Sequence, residues 1–142
     1  MALGLKMTAD EISAFLDAEF PEMHHGGQVF FVERVDAGET VMRLKTAAHH
    51  LRPGGTVSGP TQFALADIAS YAAVLAHAGP VALAVTTGVT INFLRKPSPG
   101  DLIATCRVLK LGRKLVVVDC AITGDGSDDM VAHAIATYAL PS

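Results

Sequence analysis

Residues 55–67 read GTVSGPTQFALAD and continue as IASYAAVLA, and one acid sits in that apolar run. Asp67 is the only carboxylate between positions 61 and 76. Taking an unpaired carboxylate out of water is expensive, so a chain that keeps one there gives it a partner, a proton or a reaction. An acid hydrogen-bonded to a neighbouring strand or subunit is one reading; a general base or nucleophile is the other. Gly59 and Pro60 fit the first turn of the same helix, where free N–H groups and the helix dipole favour negative charge. At about 1.5 Å of rise per residue, Gly59 and Asp67 stand about 12 Å apart along one axis. One helix therefore does not bring its own start and its own acid to the same reacting atom. The spacing calls for a second subunit.

The elements that would hold these residues follow from periodicity. Thr8-Ala9-Asp10-Glu11 has the capping-box form. Ile12, Phe15, Leu16 and Phe20 then recur at helical spacing, which predicts a short amphipathic helix to about Ala18, closed by Pro21. Residues 28–35 and 40–46 read as strands around a turn, and 49–55 as a loop. Pro60 opens a helix that runs to about His77 and stops before Gly79-Pro80. That helix is apolar all round, which predicts burial on most sides. Four β-rich runs follow, 81–95, 101–110, 114–123 and 130–140, joined by short turn-rich links. Such links predict neighbouring antiparallel strands, a meander. Two strands, one enclosed helix and four strands make an α+β domain with a sheet curved around the helix.

Composition narrows the function classes. A chain of 142 residues, half of them hydrophobic, is read as one domain over 1–142. A net charge of −3 argues against a general nucleic-acid binder, which needs a basic face. Cys106 and Cys120 lie in separate strand-like runs without metal-type spacing, and read as reduced core thiols of a cytoplasmic protein. The stretch MALGLKMTADE has no secretion-signal pattern, and no run reaches membrane-spanning length. His24-His25 and His49-His50 are adjacent pairs whose side chains point apart in extended chain, and His77 at a helix end suits the dipole. No metal site is predicted.

Three segments, in order, carry a resemblance. GTVSGPTQFALAD follows the pattern G-[TV]-[LV]-H-G-G-x4-L-x-D, and TGVTINFLRKPSPGDLIA follows T-x4-I-x-F-x-[RK]-P. A late GR and an A…T-Y strand complete the set. From about residue 46 to 138 the chain resembles the PaaI-like branch of the hotdog-fold acyl-CoA thioesterases. The resemblance implies a hotdog fold, an antiparallel sheet wrapped around one long central helix. It implies hydrolysis of a medium-chain or aromatic acyl-CoA, with no cofactor beyond the coenzyme A of the substrate. It also implies a homodimer, or a tetramer built as a dimer of dimers, in which one subunit's helix start faces the other's acid.

Residue by residue, the resemblance makes Asp67 the base or nucleophile, Gly59 the oxyanion donor and Thr86 the hydroxyl that positions water, with Thr87 one register step away. Two positions depart from the family pattern. Ser58-Gly59-Pro60 stands where His-Gly-Gly is usual, and Arg52 where an asparagine is common. Ser58 can cap the helix or touch the thioester; Pro60 removes one donor and leaves the Gly59 N–H. Arg52 pairs with an acidic acyl group or a phosphate, or is simply solvated. Arg95 and Lys96, with Arg113 and Lys114 in the following turn, are candidates for the coenzyme phosphates. The departures motivate an alternative, a hotdog domain that binds or senses acyl-CoA without turning it over. A hotdog dehydratase ranks last, because Ser58 occupies the place of the histidine it would want.

Overall fold

Thr8 opens the first helix, α1 (Ala9–Glu19). Its hydroxyl accepts the Glu11 N–H at 3.2 Å, and the Glu11 carboxylate accepts the Thr8 N–H at 2.9 Å. This is the reciprocal cap expected from the sequence. The computed structural model describes residues 4–24 and 27–141; His25 lies outside them. After α1 come β1 (Phe30–Asp36), β2 (Glu39–Leu44), the long helix α2 (Gly59–Ala78), and then β3 (Val85–Phe93), β4 (Leu102–Leu111), β5 (Leu115–Gly124) and β6 (Met130–Ala139). All six strands form one antiparallel sheet in the order β1-β2-β4-β5-β6-β3. The α+β architecture is the expected hotdog fold: a sheet wrapped around one central helix.

Alternation along the strands builds the core. Met42, Leu102, Val118, Ile122 and Tyr138 all face α2 and are buried, as are Leu65 and Leu75 from the helix itself. Each such leucine contributes about 1.5–3 kcal/mol by leaving water. Small residues let the layers approach: the inner face of β6 is Ala132, Ala134 and Ala136, against an alanine-rich α2. Cys106 stands directly opposite Cys120 across β4 and β5, both buried and both free thiols.

The meander is only partly correct. β4, β5 and β6 follow it, but β3 pairs with β6 at the far edge rather than with β4. The short link after β3 is a crossover past two strands, about 14 Å at strand spacings of roughly 4.8 Å. Eight residues from Leu94 to Asp101 span that distance in extended chain. Arg43 fastens the far end of the crossover, donating to Asp101 at 3.0 Å and to Asp125 at 2.8 Å. The start of the predicted run 81–95 is a turn, closed by the Ala84 N–H on the Val81 carbonyl at 3.0 Å, so β3 begins at Val85.

His77 does something other than answer the helix dipole. Its Nε2 accepts the Gly38 N–H at 2.7 Å and its Nδ1 donates to the Ala73 carbonyl at 2.8 Å. Those two bonds require the proton on Nδ1 and a bare Nε2. The imidazole thus ties the β1–β2 turn to the end of α2. His77→Ala is expected to cost about 1–3 kcal/mol, because the Gly38 N–H loses its acceptor. Denaturant unfolding measures the loss, and an unchanged midpoint would show that water replaces the ring.

Candidate active site

Asp67 lies on the side of α2 that meets the start of β3 and the end of β6. Its Oδ1 accepts from the Thr86 hydroxyl at 2.9 Å and from the Tyr138 hydroxyl at 2.5 Å. The same phenol oxygen is 2.6 Å from the Asp67 main-chain carbonyl. The acid is half-buried rather than fully enclosed, which corrects the expectation from its apolar neighbours. It opens into a cavity of about 300 Å³ whose walls include Phe20 and Glu19 from the end of α1, together with Tyr71, Thr86 and Tyr138. Thr86, not Thr87, reaches the acid. The β3–β6 register shifts between Thr86 and Gly88, a bulge, and the Thr87 hydroxyl donates to the Thr137 carbonyl at 3.2 Å.

Tyr138 is 2% exposed. Burial first, and then the neighbouring Asp67 charge, push its phenol well above the ordinary value, so it stays protonated and donates. Tyr71 stacks on it with ring centres 6.1 Å apart, and Phe20 meets Tyr71 edge-on at 6.4 Å. Tyr71 is also pushed up, by burial and then by Glu19. The cavity therefore has an aromatic wall and two acids on its lining, Asp67 and Glu19.

The start of α2 is built separately. Ser58 caps it: the hydroxyl accepts the Thr61 N–H at 3.3 Å and the Ser58 carbonyl accepts the Gln62 N–H at 3.0 Å. Pro60 has no N–H. Among the described residues no acceptor takes the Gly59 N–H, so it is the free donor of the first turn. Upstream, Gly54 and Gly55 adopt φ of +96° and +80°, a turn that glycine makes without strain. The Arg52 N–H closes it on the Thr56 carbonyl at 2.8 Å. This turn sets Arg52 beside a second cavity of about 510 Å³, shared with Gly59, Pro60, Phe93, Arg95 and Lys96 and lined by no acid. A methyl group on Gly59 would meet the Phe93 ring at 3.5 Å, so Phe93 lies directly over the helix start.

The structure splits the expected cation group in two. Arg95 and Lys96 follow the end of β3, and Arg95 also donates to the Met130 carbonyl at 3.1 Å. Arg113 lies in the β4–β5 turn, two residues before Leu115. Leu115, Ala139 and Val85 stand in one row across β5, β6 and β3. Within one chain, Arg113 is thus at the opposite end of β3 from Arg95 and Lys96. Asp67 and Gly59 are divided in the same way.

Tyr138, Tyr71, Phe20 and Glu19 are site residues that the sequence reading did not single out. The signal for Tyr138 is its place after Ala132, Ala134 and Ala136: it is the one large hydroxyl-bearing side chain on the helix-facing side of β6. Among the described residues no group of His, Cys, Asp and Glu is arranged to hold a metal, and no helix is long and apolar enough to cross a membrane.

Residues 54–131 match the family model described as the thioesterase superfamily, a span that includes Gly59, Asp67, Thr86 and Arg95 and stops short of Tyr138. A solved structure of a candidate thioesterase from Silicibacter sp. TM1040 is 45% identical, covers 99% of this chain and 96% of its own, and superposes with a TM-score of 0.90. The PaaI protein of the E. coli phenylacetic acid degradation operon, 21% identical, shares the fold over 96% of this chain and 97% of its own, with a TM-score of 0.73. A candidate esterase of Saccharolobus solfataricus is 29% identical over 129 residues, which are 91% of this chain and 77% of the relative. The chain belongs to the thioesterase superfamily and is a hotdog-fold thioester hydrolase.

Proposed function

We propose that the protein is a cytoplasmic acyl-CoA thioesterase that hydrolyses medium-chain or aromatic acyl-CoA as a homodimer, alone or paired into a tetramer. One observation carries the reading: Asp67 is bonded to Thr86 at one end of β3, while Gly59 lies under Phe93 at the other. β3 is an edge strand with seven of its nine residues exposed. Around it stand Leu83, which is 77% exposed, and Val85, Phe93, Leu94 and Phe63. An unpaired edge with apolar flanks favours strand addition. A two-fold copy adds to it antiparallel, which swaps the ends. Centred on Thr90, with Thr87 as the extra residue of the bulge, that pairing lays Thr86 beside the partner's Phe93, and so Asp67 near the partner's Gly59.

In that arrangement the thioester carbonyl takes its hydrogen bond from the Gly59 N–H of one subunit. Asp67 of the other removes a proton from the attacking water, or itself attacks to give an anhydride that water then opens. The carbon–sulfur bond breaks and the coenzyme leaves as a thiolate that takes up a proton. Ser58 holds the helix start, and Pro60 leaves the Gly59 N–H as the donor. Arg52, Arg95 and Lys96 of one subunit, with Arg113 of the other, surround the exit toward the coenzyme phosphates. Phe20, Tyr71 and Tyr138 support an apolar or aromatic acyl group.

The test is thiol release over short-, medium-, long-chain and aromatic acyl-CoAs. Turnover is expected to peak with medium or aromatic chains. Tight binding with no release across the panel would favour the sensing module instead.

A further inference from the structure

We infer that Tyr138 is a positioning residue for Asp67: with Thr86 it holds Oδ1 and leaves Oδ2 as the oxygen that works. The inference rests on Asp67 being the reacting carboxylate, as proposed above. Two hydroxyls converge on one carboxylate oxygen, Thr86 at 2.9 Å and Tyr138 at 2.5 Å, and among the described residues no donor reaches Oδ2. Two bonds from two different strands fix the rotation of the carboxylate about its last bond. A base or nucleophile held in one orientation spends no entropy finding it at each turnover.

The hydrogen bookkeeping supports the assignment. A phenol has one proton and two acceptors within reach, Asp67 Oδ1 and the Asp67 carbonyl. While Asp67 is charged, the proton belongs on Oδ1. The charged acceptor is the stronger, and the alternative sets two lone pairs against each other at 2.5 Å. When Oδ2 gains a proton, the demand at Oδ1 falls and the phenol can turn to the main-chain carbonyl without losing a partner. Burial keeps the phenol protonated throughout. Stacking on Tyr71 holds the ring in place, so the hydroxyl can be removed without disturbing the packing.

The experiment compares Tyr138→Phe, Asp67→Asn and the unaltered protein. For Tyr138→Phe, kcat is expected to fall about tenfold, a tenth of the lower end of the roughly 10²–10⁴-fold range set by acid–base groups themselves, with KM changed less than about twofold. The acidic limb of its pH–rate profile should move to higher pH, because a donor to the charged form is gone. Glu19 and Tyr71, the other titratable groups facing the acid, are present in both proteins and cancel in the comparison. If removing the hydroxyl unfolds the protein, 3-fluorotyrosine at 138 in a Tyr71→Phe background, compared with Tyr71→Phe carrying ordinary tyrosine, keeps the packing and strengthens the donor. The limb should then move to lower pH. Wild-type kcat and an unmoved limb in these proteins, with Asp67→Asn inactive, would overturn the role of Tyr138 alone. Turnover by Asp67→Asn would instead overturn the reading beneath it.

Discussion

Asp67→Asn is expected to lower kcat/KM for acyl-CoA hydrolysis by about 10²–10⁴-fold while the protein stays folded. The amide keeps the shape of the acid, and its oxygen can still accept from Thr86 and Tyr138. Local packing and the cavity wall are therefore preserved. What the amide lacks is a basic lone pair for a water proton and a charge for attack on the carbonyl. The loss should fall on kcat, since in the proposed complex Phe20 and Tyr71, rather than the acid, hold the acyl group. A thiol-release assay beside a thermal melt separates the two effects. Residual turnover within tenfold of the unaltered protein, at an unchanged melting temperature, would remove Asp67 from the chemistry.

Local rules carried the sequence reading as far as local rules reach. The Thr8–Glu11 cap, the α2 limits near Pro60 and Gly79, and the strand periods all depend on neighbours within a few residues, and they came out within a residue or two of the observed elements, apart from the start of β3. The place of β3 did not. The five-residue link read from the sequence ordinarily joins neighbouring strands, but the observed link is eight residues, Leu94 to Asp101, and it passes two strands, so that β3 pairs with β6. The site divides along the same line. Asp67 stands out because a lone acid in an apolar helix breaks the local pattern, and Gly59 because helix starts have free N–H groups. Tyr138 and Phe20 break no pattern: an aromatic on the buried face of a strand or helix is what a core wants anyway. Only the fold brings those two, from opposite ends of the sequence, to the same cavity. The division of Arg113 from Arg95 is likewise a fact of sheet order, and so invisible in a string where they lie in consecutive turns.

Gly59→Pro is expected to cost about 10²–10³-fold in kcat, the price of one oxyanion donor, and mixing it with Asp67→Asn should bring activity back. Proline removes the one N–H of the first turn that has no acceptor among the described residues. It should do so without distorting the helix. Position 59 begins α2, where proline is tolerated, and Ser58 already has the extended φ of −67° and ψ of 154° that the residue before a proline adopts. Each variant alone is a symmetric assembly in which every site is faulty. In a two-fold dimer of one chain of each kind, one site carries both faults and the other carries neither, provided that acid and donor come from different chains. Random reassortment of equal amounts makes half the dimers mixed, so about a quarter of full activity is expected. If acid and donor belonged to one chain, every site in the mixture would retain a fault and the mixture would stay inactive. Co-expression of two differently tagged variants, followed by purification of the mixed dimer, gives a sharper form: half of full activity per dimer. The rescue does not depend on which acyl group is bound or on whether Asp67 acts as base or nucleophile. It therefore isolates the point the spacing first raised: whether a helix that carries both halves of a site about 12 Å apart lends one of them to another copy of itself.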